Sequence, residues 1–243
     1  MIVSAKSKIE WTENTWNPVT GCTRISDGCK NCYAYTMANR LMHMGSAKYE
    51  DGFSVRTHES ALDEPLKWRK PRLVFVNSMS DLFHEDIPFR FIEQVFEVMN
   101  KAPMHTFQIL TKRALRLAEL APQLNWTPNI WQGVTVESSE HKYRVDALRT
   151  VASAVRFISF EPLLNDIGAV NLSGIQWSIV GGESGPGARP MESDWVLNLK
   201  EQCDQQVVPF YFKQWGGTHK KKAGRILLGQ TWDNMPIVSS ASN

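Results

Sequence analysis

Most of the features that would sort this chain at a glance are missing from its 243 residues. No stretch approaches the roughly 18 consecutive apolar residues that a membrane span needs. The opening Met1-Ile2-Val3-Ser4-Ala5-Lys6-Ser7-Lys8 has no basic start followed by a long apolar run. The expectation is a soluble cytoplasmic protein with no membrane partner. Net charge is also nearly absent, at +2, so a polyanion partner would have to be read from where charge lies rather than from its total. There is no residue-level repeat, no low-complexity segment, and no Gly-x-Gly-x-x-Gly after the first extended stretch, which removes the usual dinucleotide signature. What remains is 42% hydrophobic and 21% charged, a composition able to bury a large core.

Cysteine is scarce as well, with four in the chain, yet three of them, Cys22, Cys29 and Cys32, fall within eleven residues. In a reducing compartment, clustered thiols point to metal or catalysis before disulfide. Thiolates are soft ligands that select iron–sulfur clusters or zinc, and Cys29 and Cys32 stand at the Cys-x2-Cys spacing that lets one turn present two sulfurs to one centre. The full pattern is Cys-x6-Cys-x2-Cys, three donors with no evident fourth, which suggests a site with an open coordination position. For zinc, the nearest completing ligands are His43, His58 and His84, none at the short spacing of a knuckle or ribbon. Isolated structural or redox thiols are the remaining reading. Cys203 sits on the apolar face of a helix and reads as core.

Along the chain, Ile9 to Val19 reads as an extended segment that delivers the cysteine loop. Tyr33 to Met44 has helical periodicity and is ended by Gly45, which places Cys32 at a helix N-terminus, where the dipole favours thiolate. From Gly45 to Arg72 the pattern is aperiodic, with a short helix expected near Ser60 to Trp68. Short apolar runs then recur at 73–78, 107–111, 131–136, 156–160, 177–181 and 209–213, with helical patterns from Asp86, over 114–121 and 139–148, and after a capping Ser193. The gaps between runs suit the crossovers that parallel strands require. Counting the first segment, there are seven βα-like units, one fewer than a closed barrel. The predicted fold is α/β: a single-domain, partial or irregular parallel (β/α) TIM-like barrel over residues 1–217, with the cysteine loop at the carboxyl ends of its strands. A tail, 218–243, carries the Lys220-Lys221-Lys222 run and a Ser-rich end.

Function in such architectures gathers at the carboxyl ends of the strands. Just past the apolar runs stand Ser78, Asp81 and His84; Lys112 and Arg113; Glu137; Glu161; Glu183 and Arg189; and Lys213 and Gln214. The glycines of Val180-Gly181-Gly182-Glu183-Ser184-Gly185 fit either a ligand loop or a tight turn. Lys112, Arg113, Lys213 and Arg189 would make the mouth basic, able to meet a phosphate or carboxylate, unless they pair with Glu137, Glu161 and Glu183.

Trp16-Asn17-Pro18, Gly21-Cys22 through Gly28-Cys29-Lys30-Asn31-Cys32-Tyr33-Ala34 and the late Gly181-Gly182-Glu183-Ser184 together resemble the phage-associated three-cysteine-motif family over roughly Ile9 to Gly217. That family in turn resembles radical S-adenosylmethionine enzymes, the DNA-repair lyases among them. The resemblance implies a [4Fe-4S] cluster held by Cys22, Cys29 and Cys32, with S-adenosylmethionine on its open iron. It also implies an external electron donor and a nucleic-acid or nucleotide substrate. Cofactor contacts would come from Ser78, Asp81, Glu137, Gly181, Gly182 and Glu183, and catalytic ones from Lys112, Arg113, Glu161 and Lys213. Two departures stand out: the first cysteine gap is six where the radical enzymes usually have three, and the aromatic residue follows Cys32 instead of preceding it. Zinc-stabilised nucleic-acid binding without catalysis, and an iron–sulfur photolyase or redox protein that does not use S-adenosylmethionine, are the alternatives. No residue pattern specifies an oligomeric state.

Overall fold

The computed structural model describes residue 7 and residues 9–237; the Ser-rich end from 238, and the side chains of Lys220 and Lys221, lie outside the described residues. Seven strands form one parallel sheet: β1 (Asn14–Trp16), β4 (Leu73–Val76), β5 (Thr106–Thr111), β6 (Ile130–Thr135), β7 (Val155–Phe160), β8 (Trp177–Gly181) and β9 (Phe210–Gln214). A small antiparallel pair, β2 (Val19–Thr20) and β3 (Arg56–Thr57), flanks it. Strand order follows chain order from β1 to β9 without reversal. A doubly wound sheet reverses at a switch point; this one curls in a single direction into a half-barrel. The apolar runs become strands because parallel strands are covered on both faces.

The period of two along each strand separates two cores. Val74, Val76, Phe107, Ile109, Val134, Ile158, Phe160, Val180, Phe210 and Phe212 pack on one face. Against them lie the apolar stripes of the helices α2 (Phe89–Lys101), α3 (Ala114–Leu120), α4 (Tyr143–Arg149) and α5 (Ser193–Gln205). The other face carries an aromatic plug, in which Trp11 meets Phe75, Phe157 and Trp177, and Trp177 meets Trp131 and Tyr211. Gly133 sits against that plug, and a Cβ there would stand 2.4 Å from the Phe157 ring. Phe157 is hemmed in by Trp11 and Trp177 and cannot retreat. Gly133→Ala is therefore expected to cost about 1–3 kcal/mol of stability, the range typical of overpacking, read as a lower denaturation midpoint.

Helix α1 (Tyr33–His43) starts at Cys32 as N-cap, and at its other end Gly45, at φ +75, returns its N–H to the Met42 carbonyl. The predicted short helix near 60–68 is two 3-10 turns, at Glu59–Ala61 and Pro65–Lys67. The first part of the predicted 139–148 helix is a 3-10 turn at Ser139–His141. In α5, Glu192 rather than Ser193 is the N-cap. Residues of the tail return to the sheet: Phe212 N–H donates to the Trp232 carbonyl at 2.8 Å, and Trp177 Nε1 to that of Asn234 at 2.8 Å. Among the described residues no helix is long and apolar enough to cross a membrane.

His105 is buried where the chain enters β5, and its Nε2–H donates to the Pro65 carbonyl at 3.2 Å. Burial, with Arg72 nearby, holds its pKa below the ordinary value of 6.5. Between the depressed value and 6.5 the unfolded chain binds more protons than the folded one, so stability rises with pH across that window and is lost as pH falls through it. Chemical denaturation at pH 7 and pH 5 should show a stability loss on acidification that is smaller in His105→Gln.

Candidate metal centre

The loop from Gly21 to Cys32 is tied to the barrel at its start, where Gly21 N–H donates to the Met79 carbonyl at 3.1 Å and Cys22 N–H to that of Phe53 at 3.2 Å. Three side chains that stand two residues beyond strand ends then hold its length. Beyond β5, Arg113 donates from Nη1 to Cys22 Sγ at 3.5 Å, and from Nη2 to Thr23 Oγ1 at 2.9 Å and the Thr23 carbonyl at 3.3 Å. Beyond β6, Glu137 accepts a short hydrogen bond from Ser26 Oγ. Beyond β8, Glu183 accepts from Asn31 Nδ2 at 2.9 Å and forms a two-point pair with Arg189, whose Nη2 also reaches the Asp27 carbonyl at 2.9 Å. Gly28 lets the backbone pass this close: an added Cβ would stand 3.0 Å from Glu137 Cγ.

Glu137 is fully buried, yet its carboxyl stays below the ordinary carboxylate range. Desolvation pushes it up, and the charges of Lys112 and Arg144 with the Ser26 hydrogen bond together pull it further down. Arg144, on α4 and buried, donates to Glu137 Oε2 at 2.7 Å and to the Thr135 carbonyl at 2.8 Å. Asp81 is saturated from within: Oδ1 accepts from Thr111 Oγ1 at 2.7 Å and Phe83 N–H at 3.0 Å, and Oδ2 from Lys112 N–H at 3.0 Å and Arg113 at 3.4 Å. Ser78 Oγ donates to Asn17 Oδ1 at 3.1 Å, while its carbonyl accepts from Tyr33.

Glu161 and Lys213 meet each other, Nζ to Oε1 at 2.6 Å, beside Gly181, whose position lies 3.3–3.5 Å from both side chains. Gly182 has a structural reason to be glycine, since a Cβ would fall 2.1 Å from the Trp215 carbonyl oxygen. Charge around the loop is thus arranged in pairs: Arg189 with Glu183, Lys213 with Glu161, Arg113 with Asp81 and Glu85, and Lys112 beside Glu137. Of the two readings of these cations, a basic mouth or ion pairs, the geometry of Arg189, Lys213 and Arg113 is that of ion pairs. Two surface cavities, of about 540 and 360 Å³, are lined by none of these residues.

All four cysteines are free; Cys22, Cys29 and Cys32 are half-buried, whereas Cys203 is buried in the helix-side core. Burial and the nearby Asp81 push the Cys22 thiol up to about 12, with Arg113 opposing. Among the described residues no three donor side chains are drawn together as a metal set. The fit therefore rests on the chemistry of the donors: three free thiols on one tethered loop, the set that iron–sulfur clusters take. The candidate zinc histidines are engaged elsewhere. His43 binds the Asn39 carbonyl, His58 binds Thr20 Oγ1, and His84 has one ring nitrogen on Thr23 Oγ1 and the other accepting Asp86 N–H.

Ser26, Thr23, Glu85 and Arg144 belong to the site without any motif that marks them in the sequence. An arginine among the apolar positions of 139–148 was the available signal for the last.

A curled parallel β/α sheet of seven strands with a tethered three-cysteine loop defines the class of protein. The chain belongs to the family described as protein of unknown function (DUF5131), which matches residues 6–236. No curated protein matches it. Among solved structures it is similar to spore photoproduct lyase complexed with dinucleoside spore photoproduct, at 12% identity and TM-score 0.51, covering 84% of this chain and 64% of that one. A tyrosine-to-phenylalanine mutant of the lyase gives TM-score 0.57 at 12% identity, covering 88% and 79%. A double mutant with bound AdoMet and dinucleoside spore photoproduct gives 0.51 at 12%, covering 84% and 64%. The likeness is one of fold, and this chain spans 64% of the length of the first lyase structure.

Proposed function

We propose that this protein is an iron–sulfur enzyme of radical S-adenosylmethionine type that acts on a nucleotide or nucleic-acid substrate. The observation that carries the reading is the Cys22–Cys32 loop: three free, half-buried thiols on a loop held by residues just beyond β5, β6 and β8 of a half-barrel. Similarity of fold to a lyase that binds AdoMet and a dinucleoside supports the cofactor and the substrate class. Cys22, Cys29 and Cys32 would hold a [4Fe-4S] cluster, which supplies one-electron cleavage of the sulfonium when bound. The protein's part is position and charge. Arg113, Glu137 and Glu183 fix the loop, Asn17 and Ser78 shape its flank, and the Glu161–Lys213 pair offers a carboxylate and an ammonium beside Gly181.

The test is reductive cleavage. Anaerobically reconstituted protein, given dithionite and S-adenosylmethionine, is expected to form 5′-deoxyadenosine. Formation should be faster when an oligonucleotide or dinucleoside is added. Reconstituted, iron-loaded protein that neither binds S-adenosylmethionine nor releases deoxyadenosine would turn the reading toward a cluster protein that does not use it. In Lys213→Ala, S-adenosylmethionine binding measured by equilibrium dialysis should persist while deoxyadenosine formation with oligonucleotide falls about tenfold or more, as for loss of a positioned acid or base.

A further inference from the structure

Arg113 was a sequence candidate for contact with substrate, yet it is only 5% exposed and faces inward. Each of its guanidinium nitrogens is committed. Nε donates to Glu85 Oε2 at 2.7 Å, Nη2 to Thr23, and Nη1 to both Asp81 Oδ2 at 3.4 Å and Cys22 Sγ at 3.5 Å. Asp81 is in turn immobilised by Thr111 Oγ1 and two backbone N–H groups, so the fork is aimed from a rigid base. A planar cation gripped on three sides has lost its freedom before any ligand arrives, and its one remaining direction is the sulfur. Ion pairing with Asp81 and Glu85 accounts for its burial; it does not require the N–H directed at Cys22.

We propose that Arg113 is a positioning residue for the metal centre: its Nη1–H···Sγ bond orients the Cys22 thiolate and raises the reduction potential of the cluster. This rests on the reading of Cys22, Cys29 and Cys32 as cluster ligands. One-electron reduction adds negative charge that spreads onto the sulfurs, and a hydrogen bond from a cation stabilises the reduced state more than the oxidised one. Removing the bond therefore makes the potential more negative. Outer-shell hydrogen bonds of this sort also hold metal ligands in register.

The experiment compares the wild-type full chain with Arg113→Lys and Thr23→Val after anaerobic reconstitution, reading iron content, electron paramagnetic resonance of the reduced state and midpoint potential. Arg113→Lys keeps a cation opposite Asp81 but removes the planar fork; exposed Thr23→Val removes the shorter of the two Thr23 acceptors of Nη2, leaving the carbonyl, and leaves the fold intact. The expected result is full iron loading in both, with the equilibrium constant for reduction lowered about tenfold in Arg113→Lys, a shift of about 59 mV to more negative potential. A smaller shift of the same sign is expected in Thr23→Val. Iron lost from folded Arg113→Lys and retained by the wild type also supports the assignment. Unchanged potential and signal in iron-loaded Arg113→Lys would overturn it, and were that variant to misfold, unchanged values in Arg113→Gln, which also lacks the cation at Cys22 Sγ, would do so. A wild-type chain that takes up no iron would instead overturn the underlying reading of the cysteines, a separate outcome.

Discussion

Replacing any one of Cys22, Cys29 or Cys32 by alanine is expected to reduce iron after anaerobic reconstitution from about four atoms per chain to below one, the count being that of a [4Fe-4S] cluster. Deoxyadenosine formation should vanish with it. A cluster bound through three thiolates has no spare protein donor. Among the described residues the fourth cysteine, Cys203, is enclosed by the helix-side core and is no substitute. Cys203→Ala serves as the control and should keep its iron, since the change is confined to the packing of α5 on the sheet. Loss of iron only in the loop variants ties the metal to the loop; iron retained equally by all four would point to adventitious binding. Iron and acid-labile sulfide assays with the absorbance near 400 nm are sufficient to tell these apart.

Glu137→Ala should be the most destabilising single substitution around the loop, by about 3–5 kcal/mol in urea denaturation. The carboxylate is inaccessible to solvent and faces a guanidinium that is equally buried, so its removal strands the Arg144 charge in the interior. Ser26 loses its acceptor at the same time, which loosens the middle of the cysteine loop and should open it to proteolysis. Glu137→Gln keeps the shape but turns an amide toward Arg144 or Ser26, and its cost should be smaller. Replacing both members by apolar residues, Glu137→Leu with Arg144→Met, should recover much of the lost stability, because the desolvation cost disappears with the pair. Iron uptake should stay impaired even then, since Ser26 remains without a partner. The double variant thereby separates the stability role of Glu137 from its hold on the loop.

The sheet was legible in the sequence because buried parallel strands leave continuous apolar runs, and the runs at 73–78, 107–111, 131–136, 156–160, 177–181 and 209–213 each contain or overlap a strand. Helix α1 was legible from its stop signal, Gly45, as much as from its periodicity. The 3-10 turn at Ala47–Tyr49 was not, and those at Glu59–Ala61 and Pro65–Lys67 read as one short helix, because single turns have no period to detect. Around the loop, the positions of the polar residues could be read but their partners could not. Lys213 and Glu161 are 52 residues apart, and Ser26 and Glu137 are 111 apart; only the curl of the sheet brings them together. Strand-end position marks a residue as facing the site, but whether Arg113 meets a substrate or a cysteine depends on Asp81, Glu85 and Thr23, none of them near it in sequence.

Metal content of the full chain, purified and reconstituted without oxygen, tests the central claim most directly. The expected result is brown protein with iron and acid-labile sulfide in near-equal amounts, about four of each per chain. Colourless protein that carries about one zinc and no iron after reconstitution would contradict it.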